Sequence, residues 1–112
     1  MYKIIIFGTG LYGKQALQFF TRENVMFWTD NKEDLHGKLI EGIEVIPPSE
    51  LKKYLNECVI VIAAKPEFFN QIKYQLNKEY GIEMALNYTF LKSYINDSGI
   101  SVGEFLSGCM GK

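Results

Sequence analysis

The amino end of the chain joins an apolar run to a glycine-rich loop, and this junction limits the folds that the chain can adopt. Residues 2–7 are β-branched or aromatic apart from Lys3, which is typical of a strand buried on both faces of a parallel sheet. The loop Gly8-Thr9-Gly10-Leu11-Tyr12-Gly13 follows, and a helical pattern covers residues 11–23. A strand, a glycine turn and a helix in this order predict the first unit of an α/β domain.

The alternation of strand and helix patterns continues along the chain. Further strands are predicted at 25–28, 59–63 and 83–86, and further helices at 49–55 (with Ser49 as N-cap), 67–80 and 89–95. Residues 38–40 and 43–46 flank Glu41-Gly42, which predicts a hairpin. We therefore expect a small Rossmann-like α/β/α domain of three layers, with a mostly parallel sheet and an edge hairpin.

Composition excludes several classes of protein. The 12 basic and 13 acidic residues give a net charge of −1, so we expect no nucleic-acid partner. The longest apolar runs, 4–7 and 58–64, are far shorter than the roughly 20 residues of a membrane span. Cys58 and Cys109 form no C-x-x-C pair, so neither a disulfide framework nor a metal site is expected. These features favour a cytoplasmic domain.

The domain is predicted to occupy residues 1–96. Residues 97–112 contain four glycines and are predicted to form a tail or the start of a linker, with Val102, Phe105 and Leu106 as apolar anchors. A chain of 112 residues then leaves no room for a second, catalytic domain.

Each glycine of the loop has a predicted role in binding a phosphate. Gly8 permits the tight turn, Gly10 lacks a Cβ and lets a pyrophosphate approach the backbone, and Gly13 lets the helix pack closely on the sheet. The helix N-terminus then offers free N–H groups to the phosphates. The alternative is a packing turn in a domain that binds nothing.

Asp30 is the strongest candidate outside the loop. It lies 22 positions after Gly8, where a dinucleotide-binding fold places the acid that holds ribose hydroxyls. An Asx turn formed with Asn31 is an equally good interpretation. No arginine follows Asp30, which disfavours a ligand with a 2′-phosphate.

Other residues near the predicted site have two interpretations each. Lys65-Pro66 follows a buried strand, at the sheet edge where α/β folds bind ligands, and Lys65 is a candidate phosphate contact. Lys14 either assists an anionic ligand or is solvated, and Tyr12 either covers the phosphates or caps the loop.

No catalytic residue is predicted. Two Y-x-x-x-K matches, at 74–78 and 88–92, lie too early in the fold for the dehydrogenases that use this spacing. His36 is the one histidine, has no nucleophile beside it in sequence, and is expected to be solvated. Phe68 and Phe69 fit helix packing better than stacking against bases.

Four segments together resemble a known group of domains: IIIFGTGLYGK at 4–14, FWTDN at 27–31, LHGKLIEGIEVIPPSEL at 35–51 and VIVIA at 59–63. The chain is similar to the Rossmann-like domain at the front of bacterial nucleotide-sugar N-acetyltransferases. It also resembles the CoA-binding-like domains that precede polysaccharide-biosynthesis sugar dehydratases and epimerases.

The resemblance implies a site for a uridine diphosphate-sugar. The residues that would line it are Gly8, Thr9, Gly10, Leu11 and Asp30, with Lys65 and Pro66 on its rim. Asn31 is also a candidate for binding, because Asp30-Asn31 matches the acid-rich end of the second strand in that family. The β-helix domain that carries acetyl transfer in those enzymes has no counterpart here, since no hexapeptide repeat is present.

The function expected from the sequence is therefore non-catalytic binding of a nucleotide or nucleotide-sugar, in sugar or surface-polysaccharide biosynthesis. UDP-sugar and NAD are the first candidate ligands and CoA is a third. A catalytic domain or partner enzyme would act on the bound ligand. The alternatives are a ligand-free oligomerisation or docking domain, and the cofactor-binding half of an NAD-dependent sugar epimerase or dehydratase.

Overall fold

One sheet of six strands organises residues 1–108, the part of the chain that the computed structural model describes. The strands are β1 (Lys3–Phe7), β2 (Val25–Thr29), β3 (Leu39–Ile40), β4 (Ile43–Ile46), β5 (Cys58–Ile62) and β6 (Leu86–Asn87). Their order is β3-β4-β2-β1-β5-β6, and β3 is the antiparallel member. The predicted fold class and edge hairpin are confirmed.

Helices cover both faces of the sheet. They are α1 (Leu11–Phe20), α2 (Pro66–Tyr80), α3 (Tyr88–Ser98) and α4 (Val102–Gly108). Successive residues of a strand face opposite sides, and β1 accordingly divides its side chains between two cores. Ile4 and Ile6 pack with Phe20 of α1, whereas Ile5 packs with Leu76 of α2. The result is a three-layer domain with one core on each side of the sheet.

The order in which the strands are added to the sheet reverses at β1, and this position determines where a cleft can open. From β1 the chain proceeds through α1 to β2 on one side, while β5 pairs with the other side of β1. The loop after β1 leads to α1 on one face, and the loop after β5 leads to α2 on the opposite face. Diverging loops at such a switch point leave a crevice at the carboxyl ends of the strands.

Trp28 anchors the edge hairpin to the core. Its side chain is fully buried, and its Nε1 donates a hydrogen bond to the carbonyl oxygen of Ile40 at 2.9 Å. Glu41 and Gly42 have φ angles of 55° and 78°, the left-handed pair that a tight hairpin turn requires. The Arg22 guanidinium donates to the Glu41 carbonyl oxygen.

The first helix is shorter than its sequence pattern. The pattern predicts a helix over 11–23, but α1 ends at Phe20 because Thr21 adopts a φ of 71°. A 3₁₀ turn over Arg22–Asn24 then leads into β2. Residues 21–24 are all polar, so no apolar side chain continues the inner face of the helix beyond Phe20.

Two further predictions near the sheet are wrong in detail. The segment after β4 is a 3₁₀ helix, Pro48–Tyr54, and no side chain caps it, so Ser49 is not its N-cap. Residues 83–86 do not form a strand over their whole length, since β6 is limited to Leu86–Asn87 and Glu83 is exposed. After α2 ends at Gly81, which has a left-handed conformation, the chain pairs with β5 only at the last two residues of that strand.

The segment beyond residue 96 contains regular structure. Helix α3 continues to Ser98, and α4 begins after a capping box in which Ser101 and Glu104 bond reciprocally, at 2.8 and 3.0 Å. Leu106 of α4 is fully buried in the α1-side core. The division of the chain at residue 96 stays a prediction, and Cys109 lies outside the described residues.

No helix within residues 1–108 is long and apolar enough to cross a membrane.

Candidate functional site

The loop after β1 turns sharply over the end of β5. Gly8 has a φ of 118°, and its N–H donates to the Thr29 carbonyl oxygen at 2.9 Å. A Cβ at Gly8 would lie 2.5 Å from the carbonyl oxygen of Ala63. Both the backbone conformation and the contact with β5 therefore require glycine at this position.

The other two loop glycines differ in what surrounds them. A Cβ at Gly13 would lie 1.9 Å from the carbonyl oxygen of Gly8, so the close packing predicted for it is present. A Cβ at Gly10 would meet no atom of residues 1–108 within 4 Å. Packing explains Gly8 and Gly13, whereas Gly10 faces open space.

The N-terminus of α1 points its positive end at this space, and no side chain of the helix itself compensates that charge. Gly10 occupies the N-cap position and supplies no side chain, and the first turn of α1 contains no acidic residue. The N–H groups of a first helical turn have no acceptor within the helix. Such an end attracts anions through both its N–H groups and the helix dipole.

Asp30 connects the end of β2 to the glycine loop. Its Oδ2 accepts hydrogen bonds from the backbone N–H of Thr9 at 3.0 Å and from the Thr9 hydroxyl at 2.9 Å. Its Oδ1 accepts from the backbone N–H of Lys32 at 3.1 Å, which makes an Asx turn. Both acceptor sites of Oδ2 are thus in use, whereas Oδ1 keeps one, so the turn and one bound hydroxyl are compatible.

A cleft of about 540 Å³ lies between the loop, the end of β2 and the start of α2. Eight of the ten predicted site residues line it: Gly8, Thr9, Gly10, Leu11, Tyr12, Asp30, Asn31 and Lys65. Gly13 is buried beneath the loop, and Pro66, the first residue of α2, is exposed outside the lining. Lys14 is exposed and also lies outside the lining.

Of the two exposed apolar residues that line the cleft, the sequence identified Leu11 but not Phe68. Phe68 lines it and is 43% exposed, so the prediction that Phe68 packs within the helix layer is wrong, while Phe69 does pack against the α2-side core. Leu11, the first residue of α1, also lines the cleft and is 70% exposed. Lys32, which also lines the cleft, had no sequence signal beyond its place two residues after Asp30.

The other titratable candidates lie outside the cleft. His36 is half-buried, and its Nε2 lies 2.7 Å from the Asp30 carbonyl oxygen, so it is not the solvated side chain that was expected. Burial raises the pKa of the Cys58 thiol to about 11. In the described part of the chain, no three His, Cys, Asp or Glu side chains are grouped to hold a metal ion.

Comparison with known families shows to which family the chain belongs. The family model described as "C2185-like, N-terminal" matches residues 1–85, which is most of the chain. The chain belongs to the C2185-like N-terminal family. No curated protein matches it.

Two solved structures share the fold of this C2185-like domain. The crystal structure of RSP, a Rex-family repressor, superposes with a TM-score of 0.56 at 17% identity and covers 88% of this chain and 60% of RSP. RSP in complex with β-NAD⁺ and operator DNA gives a TM-score of 0.54 at 17% identity and covers 98% and 63%. The chain thus spans less than two thirds of RSP, and the likeness establishes the fold.

The RSP complex corrects one prediction from composition. The net charge of −1 was taken to exclude a nucleic-acid partner, yet a protein that shares this fold is bound to operator DNA. Excluding a nucleic-acid partner was wrong because the net charge of a chain does not give the charge of any one of its faces. It also does not give the charge of other parts of a longer protein. Of the family resemblance, the Rossmann-like fold is confirmed.

Proposed function

We propose that this domain binds a nucleotide, with NAD as the first candidate, in the cleft at the switch point of its sheet. The observation that carries the proposal is the pairing of the open Gly10 position with the N-terminus of α1, which no side chain of the helix caps, in one cleft. No packing contact within residues 1–108 explains the missing Cβ at Gly10, whereas a pyrophosphate lying against the backbone does. The complex of RSP with β-NAD⁺ supports the choice of nucleotide.

The proposed placement gives each part of the ligand a partner. The phosphates lie at the first turn of α1, near Lys32 and Lys65, both of which line the cleft. The Oδ1 atom of Asp30 accepts a hydrogen bond from a ribose hydroxyl through its remaining acceptor site. The apolar wall formed by Leu11 and Phe68 contacts a flat base or nicotinamide ring.

We propose that the domain binds its ligand and presents it to a catalytic domain or partner enzyme. The Thr9 hydroxyl and the Asp30 carboxylate, which both line the cleft, are hydrogen-bonded to each other and hold the glycine loop in place, which supports a binding role for them. We further propose that the domain takes part in nucleotide-sugar chemistry or polysaccharide biosynthesis in the cytoplasm. This proposal rests on the resemblance of the sequence alone.

Isothermal titration calorimetry tests the choice of ligand. NAD⁺, NADP⁺, UDP-N-acetylglucosamine and CoA are titrated separately into the full chain. We expect NAD⁺ to bind at least about tenfold more tightly than NADP⁺, since the Asp30 carboxylate repels a 2′-phosphate and no arginine follows it. Tighter binding of UDP-N-acetylglucosamine or CoA would replace NAD as the ligand, and no heat from any of the four would contradict nucleotide binding.

A docking domain is the second candidate, and an exposed apolar surface favours it. Phe90 and Tyr94 of α3, which line one groove together with Leu86 of β6, are 79% and 54% exposed. Of the apolar anchors predicted in residues 97–112, Leu106 is fully buried and Phe105 is half-buried, so neither offers a largely exposed contact surface. Sedimentation velocity at rising concentration tests self-association, and replacing Phe90 by Ser should reduce it.

A further inference from the structure

His36 does not line the cleft, but it contacts the main chain of a residue that does. Its ring is half-buried, and Nε2 lies 2.7 Å from the carbonyl oxygen of Asp30. Because a carbonyl oxygen can only accept, Nε2 carries the hydrogen and donates it. His36 and Asp30 are six positions apart, so this hydrogen bond closes a short loop after β2.

The backbone on both sides of His36 is itself fixed. The His36 backbone N–H ends a 3₁₀ turn by donating to the Glu33 carbonyl oxygen at 3.1 Å. Gly37 follows with a φ of 87°, a conformation that glycine adopts most readily. The Gly37 N–H donates to the Val45 carbonyl oxygen of β4 at 2.7 Å. The turn and the bond to β4 therefore hold the His36 ring against Asp30.

Asp30 lies just beyond the paired part of the sheet. The pairing of β2 with β1 and with β4 ends at Thr29. The Asp30 carboxylate nevertheless has to reach two backbone N–H groups, since Oδ2 accepts from Thr9 and Oδ1 accepts from Lys32. The direction of the carboxylate depends on where the Asp30 main chain lies, and the His36 ring bonds directly to that main chain.

The same carboxylate has one acceptor site left for a ligand. In the proposed placement a ribose hydroxyl donates to the free site of the Asp30 Oδ1. A hydrogen bond weakens steeply when its distance or angle departs from the preferred range, so a small displacement of the Asp30 main chain would lose it. His36 can therefore influence binding without touching the ligand.

We infer that His36 is a positioning residue, which holds Asp30 so that its carboxylate fixes the glycine loop and receives a ribose hydroxyl. The second part of this role rests on the proposed nucleotide binding, whereas the first part needs no ligand. A glutamine side chain carries an N–H donor at about the distance of Nε2, so His36→Gln keeps the hydrogen bond, and His36→Leu removes it.

Amide hydrogen exchange of the ¹⁵N-labelled full chain without ligand tests the first part. The Thr9 and Lys32 amides both donate to the Asp30 carboxylate. We expect them to exchange about tenfold faster in His36→Leu and near their original rates in His36→Gln. The Gly8 amide, which bonds to β2, should keep its rate in both variants. In the unmodified chain, a long-range ¹H–¹⁵N spectrum of the imidazole should show the hydrogen on Nε2.

Titration of the same variants with NAD⁺ tests the second part. We expect His36→Leu to bind NAD⁺ about tenfold more weakly and His36→Gln to stay within about threefold of the unmodified chain. Asn24→Ala is the matched control, because the Asn24 Nδ2 also donates to a main-chain carbonyl oxygen, that of Phe20 at 2.8 Å, but at the other end of β2. It should leave the NAD⁺ affinity and both amide exchange rates unchanged.

The inference is overturned if the Thr9 and Lys32 amides exchange at unchanged rates in His36→Leu, or if His36→Gln and Asn24→Ala weaken NAD⁺ binding as much as His36→Leu does. A ring that carries its hydrogen on Nδ1 alone would also overturn it, and this measurement does not require any variant to fold. If the unmodified chain does not bind NAD⁺, the proposed function fails, while the exchange rates still decide whether His36 holds Asp30.

Discussion

Thr9 donates two hydrogen bonds to a single oxygen of Asp30, from its backbone N–H at 3.0 Å and from its hydroxyl at 2.9 Å. These contacts join residues 21 positions apart and fix the glycine loop against the end of β2. The loop that faces the cleft is thereby held open before any ligand arrives. A site organised in advance loses less entropy when it binds.

Replacing Asp30→Asn tests this connection. The amide keeps one acceptor but removes the charge, so we expect unfolding free energy to fall by about 1–2 kcal/mol and NAD⁺ affinity to fall about tenfold. Urea denaturation and calorimetry measure the two effects. Asp34→Asn, an exposed acid in the following turn, is the control and should change stability by less than about 0.5 kcal/mol. Equal behaviour of the two variants would contradict a structural role for the carboxylate.

Substitutions at two loop glycines should affect the stability of the domain and its NAD⁺ affinity differently. Gly13→Ala places a Cβ 1.9 Å from the Gly8 carbonyl oxygen, so we expect a loss of about 3 kcal/mol or more, measured by urea denaturation. The Cβ of Gly10→Ala meets no atom of residues 1–108 within 4 Å, so the substitution should cost about 1 kcal/mol or less, yet weaken NAD⁺ binding about tenfold. If Gly10→Ala binds NAD⁺ as tightly as the unmodified chain, the phosphates do not lie against this backbone.

Helix α4 is predicted to contribute to the stability of the domain. Leu106→Ala removes a fully buried side chain and should lower the unfolding free energy by about 2–5 kcal/mol. Leu39→Ala is the matched control, because Leu39 is 70% exposed, and it should change stability by less than about 0.5 kcal/mol. Thermal or urea unfolding compares the two. A Leu106→Ala chain as stable as Leu39→Ala would mean that the segment after residue 96 is dispensable.

Cys58 should be unreactive in the folded chain. Burial raises its pKa from 9.0 to about 11, so the thiol stays protonated and shielded at pH 8. In a Cys109→Ser variant we expect iodoacetamide to modify Cys58 only after urea is added, as measured by mass spectrometry. Rapid modification of the folded variant would contradict the burial of this side chain.

The same shift gives a pH dependence of stability. Because the folded-state pKa lies above the unfolded value, the contribution of Cys58 is fully present below pH 9 and is lost as pH rises towards about 11. The stability difference between the unmodified chain and Cys58→Ala should therefore shrink over this range.

Local patterns were sufficient for the first half of the fold. The strand at 3–7, the glycine turn and α1 are close in sequence, and each residue type there suits its own conformation. The hairpin at Glu41-Gly42 was predictable for the same reason. Tertiary packing decided the rest, since the burial of Leu106 depends on a core assembled from distant strands.

The site was predictable where it is made of backbone. Gly8 to Leu11 line the cleft because the position of a βα loop follows from the topology. The exposure of Phe68 and the hydrogen bond between Thr9 and Asp30 depend on how α2 and β2 are placed relative to that loop. The residue pattern within a single segment does not predict such a placement. The S-x-x-E spacing at 101–104 was a readable signal of α4 that the glycines around it obscured.

Titration of the ¹⁵N-labelled chain with NAD⁺ tests the central claim most directly. We expect saturable shifts in the backbone amides of Gly10, Leu11 and Tyr12 and in those around Asp30, with no shift of similar size at the free β6 edge. The same titration of Gly10→Ala should show these shifts only at about tenfold higher NAD⁺. Shifts that are absent, that do not saturate, or that centre on the surface near Phe90 would contradict nucleotide binding in this cleft.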